Sequence, residues 1–476
     1  MGSTLKSAGL LAAGAIAGVA VSMQFSALAQ KSVEPGIPVS ELQQLAQVYG
    51  LIKSDYVEPV EDKQLLTDAI SGMVASLDPH SAYLDKKAYR DLREGTQGKF
   101  VGLGIEIGQS EEGYIRIVAP IEDSPADRAG IQAGDLITRI DGAPVQGVAL
   151  DESVKRMRGE PHTRVTLTIV RKGERAPLQL TITREEIVQK SVKAKMVEPG
   201  YAWLRISQFQ EPTLGDMAAR LAALYKQDPQ LKGLVLDLRN DPGGLLQGAV
   251  GVAAAFLPKN AEIVSTNGQL PDSRQQFYGR PEFYSLRDDD PLARLPAAVR
   301  SVPMVVLVNI GSASASEIVA GALQDYKRAT ILGGQTFGKG SVQTIRPLTS
   351  DTAVKLTTAR YYTPSGRSIQ AKGIVPDLAV DEFPDGDGYN GLRLREADLQ
   401  KHLANDKGGD GVKDDDRTRF DEVEEELRSA AAERHRKPLE YGSSDDFQLR
   451  QALNHLKGLP LQLSKTRSTL AQHVQR

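Results

Sequence analysis

The 476-residue sequence contains no cysteine. That absence excludes thiol nucleophiles, disulfides, iron–sulfur clusters and Cys-ligated zinc. Histidine is scarce: the six residues are scattered, from His80 to His473, and no pair stands at metal-ligand spacing. No metal centre is therefore expected. Charge of neither sign dominates. The 58 Lys and Arg against 61 Asp and Glu leave a net −3, which argues against a chain built to grip nucleic acid. With 40% hydrophobic and 25% charged residues the composition is that of a soluble globular protein, and the length suits roughly three structural units.

Long apolar runs are missing too, except at the start. Lys6 is followed by an apolar stretch from Ala8 to Met23 and then by Ala27-Leu28-Ala29. This pattern fits a signal peptide over 1–29 with cleavage after Ala29. The alternative is a retained membrane anchor, since the run is only slightly short of a span. Both readings place the bulk of the chain outside the cytoplasm, in the periplasm or an equivalent exported location.

Beyond it, residues 30–96 read as a helical region. SELQQLAQVYGLIKSDYV sets Leu42, Leu45 and Val48 near one face with Ser40 as N-cap, and KQLLTDAISGMVASL ends at Asp78-Pro79. From 97 to 184 the pattern changes to short strands punctuated by glycine, with a brief helix expected between Ser124 and Gly130 and another across 151–158. Residues 185–383 alternate strands with helices. The continuous apolar runs GLVLDL and MVVLVN predict a sheet covered on both faces, the core of an α/β domain. Residues 384–446 read as a charged linker: 401–446 hold 14 acidic and 9 basic residues, too polar for a core, with helix expected at FDEVEEELRSAAAERH. A tail over 447–476 recovers amphipathic spacing at Phe447, Leu449, Leu453 and Leu456. The apolar stripes at both ends predict self-association into a homo-oligomer, or an adaptor protein, unless they pack within the chain.

Three segments carry chemistry. In NIGSASASEIVAGALQDY (309–326) a strand runs through a Gly-Ser turn into a helix beginning around Ser314. A hydroxyl there meets the positive end of the helix dipole and its orphan N–H groups. Ser312, Ser314 and Ser316 compete for the role of nucleophile, and a serine-rich N-cap is the plain alternative. In GGQTFGKGSVQT (333–344), Lys339 lies among glycines after an apolar strand. A lysine in a dry pocket loses basicity and can accept a proton, so a Ser–Lys dyad needs no histidine. In LDLRNDPGG (236–244) an apolar strand ends in bare backbone, where Gly243 or Gly244 could supply one N–H of an oxyanion hole and Ala315 the other.

Taken together in this order, SASASE, TFGKGSVQT and DLRNDPGG resemble the C-terminal processing peptidases, over about residues 40–380. The resemblance implies a Clp protease/crotonase-like α/β catalytic domain. By position it makes Ser314 the nucleophile, Lys339 the base and Gln343 the residue that orients the base. YYTPSGRSIQ at 361–370 also matches that family, and the one departure is Asp241, where Asn is commoner. The module at 97–184 resembles a PDZ domain inserted ahead of the catalytic part. Val101, Gly102, Leu103 and Gly104 would cap a chain-terminal carboxylate, and the strand from Ile105 would pair with an incoming peptide. Leu103 and Ile105 would shape the pocket for an apolar last residue, and Arg156 or Arg158 could reach across an interface.

The expected function is an exported serine endopeptidase that captures unstructured C-termini and cleaves them without cofactor, metal or ATP. Two rivals are weaker. GGQTFGKG nearly spells a phosphate-binding loop, but Gly340 replaces the hydroxyl residue that would hold Mg²⁺. A non-catalytic PDZ scaffold or chaperone would not need both Ser314 and Lys339.

Overall fold

The computed structural model describes residues 38–110, 112–121, 123–285, 289–384, 394–408 and 439–465. Residues 1–29, expected to be a signal peptide or anchor, and the helix expected over 420–435 lie outside them. The chain divides into two compact units, 1–72 and 73–476.

In the first unit the helix Val39–Asp55 begins one residue after Pro38. Ser40 is therefore inside the first turn, bonded to Glu41 (2.5 Å), and is not the N-cap expected of it. Val39, Leu42, Leu45, Val48 and Leu51 recur every third residue and are all exposed. No residue of this helix is buried.

In the second unit, the sequence following the helix Asp62–Ala75 forms a strand, Ala82–Leu84, where only helix was expected, and then the helix Lys86–Gln97 capped by Asp85. Residues 99–188 build the module that resembles a PDZ domain. Its main sheet runs Ile105–Gln109, Ile115–Pro120, Leu136–Ile140, Arg164–Val170, Leu178–Thr183, with Ile105–Gln109 at one edge. Strict alternation along Arg164–Val170 points Val165, Leu167 and Ile169 into a core shared with Ile117, Ile137 and Val145. Ser124 caps the short helix Pro125–Arg128, and a second helix spans Leu150–Met157.

A six-stranded sheet has the order Val192–Glu198, Tyr201–Ile206, Gly233–Asp237, Met304–Val308, Thr330–Gly333, Leu378–Ala379; only the first pairing is antiparallel. Every residue of Gly233–Asp237 and Met304–Val308 is buried. The reason is that both faces are covered. Leu234, Leu236, Val306 and Val308 join the core beneath the helices Thr213–Gln227, Leu246–Phe256 and Ala315–Asp325. Val235, Val305 and Leu307 face the other way, onto Phe447, Leu449 and Leu453 of the tail helix Phe447–Leu456. The tail's apolar stripe is thus satisfied within the chain and is not a free surface for self-association.

The charged stretch is not all solvated linker either. Glu396, Asn405 and Asp446 are buried, because each meets a hydrogen-bond partner brought from a distant part of the chain: Glu396 and Asp446 accept from His80 and Arg239, and Asn405 donates to the Gln370 carbonyl. Arg239, fully buried, donates to both carboxylates of Asp237 and Asp446 (2.6 Å each) and stacks 4.5 Å from the Tyr441 ring. A second, antiparallel sheet contains Ala82–Leu84, Ser341–Pro347, Ala353–Tyr362, Glu262–Gly268 and Gln275–Tyr278. It carries residues that face the site.

Candidate active site

Three loops meet at the C-terminal ends of the central parallel strands, where an open α/β sheet offers its crevice. Met304–Val308 leads into the serine turn, Gly233–Asp237 into the Pro-Gly-Gly turn, and Thr330–Gly333 into the lysine loop.

The three serines part company here. Ser312 is buried; its hydroxyl donates to the Leu238 carbonyl (2.8 Å) and accepts from the Asn309 N–H (3.0 Å). Ser316 is buried as well and donates to the carbonyls of Asp241 and Ala313 (2.7 Å each). Both serve as stitching for the turn. Ser314 is only partly buried and caps the helix Ala315–Asp325 with φ 57°, ψ −113°. A non-glycine residue at such a backbone setting stores strain, which persists only where the surroundings over-determine it and which projects the side chain from the turn.

The Pro-Gly-Gly turn is pressed against that serine. A Cβ on Gly243 (φ 95°) would lie 2.7 Å from the Ala313 carbonyl and 2.8 Å from the Ala315 nitrogen, so only glycine fits. Gly244 (φ 143°) bridges to Phe209 through the Gly243 carbonyl and the Leu245 N–H. The two candidate oxyanion donors of this turn therefore differ. The Gly243 N–H already donates to Asp241 Oδ1 (2.8 Å), whereas the bridge leaves the Gly244 N–H out of its bonding. Asp241 itself is fully buried, its Oδ2 has no hydrogen-bond partner among the described residues, and burial pushes its pKa well above the carboxylate range. The departure from Asn at this position thus leaves a buried carboxyl beside the turn.

Lys339 follows Gly338 (φ 100°), whose own Cβ would press on the backbone of Ala371 and Gly373. Burial and the neighbouring Lys355 lower the Lys339 pKa from the usual lysine value; Glu396, Glu317 and Asp78 pull the other way. The direction favours a neutral amine, the form that accepts a proton.

The residue that ties serine and lysine together was overlooked in the sequence. Glu317, fully buried, accepts from the Ser314 N–H (2.8 Å), the Thr336 hydroxyl (2.5 Å), the Gly338 N–H (2.7 Å) and the Lys339 N–H (2.9 Å). One carboxylate thereby fixes both loops, and burial raises its pKa to about 7. It ends the motif SASASE at the N3 position of a helix, which reads from sequence as an ordinary capping-box acid. Tyr361 adds a second tie: its buried hydroxyl donates to the Lys339 carbonyl and lies beside the Ser314 side chain. Gln343 stands on the next strand. Its Nε2 donates to Ser341 Oγ (3.0 Å) and Thr357 Oγ1 (3.3 Å), so these bonds run along the sheet.

In the PDZ module, Val101 and Gly102 pair with Glu186 and Glu185, and Leu103 is buried in the module core. Gly104 (φ 76°) could not carry a Cβ, which would fall 2.2 Å from that of Ser124. Ile105 opens the edge strand. Arg158 donates to Glu94 (2.9 Å) and Asp91 (3.4 Å) of the helix Lys86–Gln97, while Arg156 pairs with Glu152 of its own helix. Among the described residues no group of acidic or imidazole side chains is arranged to hold a metal.

The sequence matches three family models: Peptidase family S41 over residues 200–380, the activating protease CtpB N-terminal domain over 8–88, and the PDZ domain over 116–171. It is 45% identical over 395 residues to a carboxy-terminal-processing protease of Bartonella bacilliformis, covering 82% of this chain and 87% of that one. To a probable CtpA-like serine protease of Staphylococcus aureus it is 39% identical over 344 residues, 72% of this chain and 65% of that protein. Among solved structures, a photosystem II D1 C-terminal processing protease is 30% identical, with 70% of this chain and 86% of that one covered at a TM-score of 0.40.

Proposed function

We propose that this chain, which belongs to peptidase family S41 and carries a PDZ domain, is an exported serine endopeptidase that cuts unstructured C-terminal tails with a Ser314–Lys339 dyad. One observation carries the reading: the strained, partly exposed Ser314 and the loop of Lys339 hang from the same Glu317 carboxylate. In the proposed reaction Lys339 Nζ takes the proton as Ser314 Oγ attacks the scissile carbonyl. The oxyanion is held by the Ala315 N–H and a glycine N–H of the 243–244 turn; Gly244 is the readier donor, since Gly243 must first leave Asp241. Lys339 then protonates the leaving amine and activates the water that releases the acyl group.

Capture of the substrate is assigned to the PDZ edge strand Ile105–Gln109. An extended peptide can add to it as a further strand, with its carboxylate at the 101–104 loop. A C-terminally amidated peptide should compete far less well than the free acid. The exposed stripe of Val39, Leu42, Leu45, Val48 and Leu51 supports self-association through the first helix, checked by the mass in solution of a Leu42→Glu, Leu45→Glu variant against wild type.

The deciding experiment is cleavage of an unstructured protein by the chain lacking residues 1–29, beside Ser314→Ala and Lys339→Ala. Turnover by wild type alone supports the dyad. Cleavage surviving in Ser314→Ala removes it, and silence of wild type together with no labelling by a serine-directed phosphonate would favour the non-catalytic PDZ scaffold.

A further inference from the structure

The segment 394–408 lies beyond the residues matched to the peptidase family and belongs to the stretch that reads as linker. It nonetheless reaches the back of the lysine loop. Glu396 is fully buried; its N–H donates to the Phe337 carbonyl (3.1 Å). Its carboxylate accepts from His80 Nε2 (2.7 Å) and from Gln370 Nε2 (2.9 Å). Gln370 in turn accepts the N–H of Gly340 (3.0 Å), the residue after Lys339. The fit is tight: a Cβ on Gly340 would fall 2.3 Å from the Gln370 nitrogen. Asn405 closes the strap by donating to the Gln370 carbonyl (2.6 Å).

We propose that Glu396 is a positioning residue for Lys339, holding the lysine loop from behind through Gln370 and Phe337 and supplying a buried negative charge to the amine. The proposal rests on the dyad reading above. Glu396 touches no reacting atom; its part in the reaction is through Lys339 and its loop. The groups that face Lys339 are Lys355 and Tyr361 from the strand Ala353–Tyr362, Glu317 from the helix behind Ser314, Asp78 from the turn before Ala82–Leu84, and Glu396. Those that face Glu396 are His80, Gln370, Lys339 and Tyr361. Against burial and Lys355, which lower the Lys339 pKa, Glu396 raises it. Removing that charge while keeping the shape must leave Lys339 neutral to a lower pH.

The test is the pH dependence of kcat/KM on an unstructured protein, with melting temperatures taken alongside, for wild type, Lys339→Ala, Glu396→Gln and Glu396→Asp. Glu396→Gln should shift the acidic limb downward by roughly half to one pH unit, a gain of about threefold to tenfold relative to plateau below the limb. Glu396→Asp keeps the charge on a shorter arm, so its limb should stay near wild type while kcat falls several-fold. A folded Glu396→Gln enzyme with an unmoved limb overturns the proposal. So does a Glu396→Asp enzyme indistinguishable in kcat from wild type, which would remove the positioning half. Retained cleavage by Lys339→Ala would instead overturn the dyad itself, and is distinguished by appearing in that variant alone.

Discussion

Replacing Asp446 by alanine should destabilise the catalytic unit more than any loss of surface charge. The Asp446 carboxylate accepts from Arg239 Nη1 (2.9 Å) and Nη2 (2.6 Å), from the Gly442 N–H (3.0 Å) and from the Leu449 N–H (3.1 Å), the last being the N-cap bond of the tail helix. Burial opposes the charge on Arg239, yet Asp237 and Asp446 outweigh it and hold the guanidinium pKa above its usual value. The cation therefore stays, fully buried, when one partner goes. Breaking a buried pair in this way costs about 3–5 kcal/mol, and losing the cap costs about 1 more. A loss of about 4–6 kcal/mol, at about 2 °C per kcal/mol for a large domain, gives a fall in melting temperature of about 8–12 °C. Differential scanning calorimetry on the full chain measures it. Asp446→Asn keeps acceptors for the cap and should fall between. A fall of less than about 3 °C for Asp446→Ala would refute the claim that the tail is locked to the sheet by this pair.

Buried carboxyls near the site set three further outcomes. Glu317→Gln turns an amide NH₂ toward part of a cluster of four donors. Turnover should drop at least tenfold, with a stability loss of about 2–4 kcal/mol from unmet N–H groups. Glu317 also has a pKa raised by burial to about 7. Wild-type stability should decline as pH rises from about 4.5 to 7, by about 3 kcal/mol, and thermal scans across that window should show the slope vanish in Glu317→Gln. Asp241→Asn removes a carboxyl whose pKa burial raises; because its share of stability is present at low pH and lost on raising it, the variant should melt higher than wild type, and by more at pH 8 than at pH 4. An equal melting temperature at both pH values would contradict this.

How much of this was legible depended on whether a residue's partner lies near it in sequence. The central strands could be read because burial on both faces leaves an unbroken apolar run, as in Val235 and Leu236 or Val305 and Val306. The loops could be read because glycine and serine mark places where backbone must approach backbone, and Gly243 against Ala315 is such a place. The tail helix was half-legible: its stripe at Phe447, Leu449 and Leu453 was plain, but spacing alone could not say whether the covering surface was another copy or the far face of the sheet. Buried acids were not legible. Glu317 reads as a helix cap, and Glu396 and Asp446 sit in a run of charge that composition assigns to solvent. Each is buried because donors arrive from elsewhere, Arg239 from 207 residues upstream of Asp446 and His80 from 316 upstream of Glu396. No local pattern encodes such pairings.

The same three acids divide the work of holding the site. Ser314 and Lys339 sit on loops, the least constrained parts of an α/β domain, and the proposed dyad would need its partners held to a fraction of an ångström. Glu317 joins the two loops from within. Glu396 braces the lysine loop from behind, and Asp446, through Arg239 and Asp237, anchors the strand that leads to the Pro-Gly-Gly turn. Two of the three come from beyond residue 383, past the catalytic alternation of strands and helices. The C-terminal segments are therefore part of the catalytic unit, and trimming the chain at residue 384 should abolish its cooperative unfolding transition as well as its turnover.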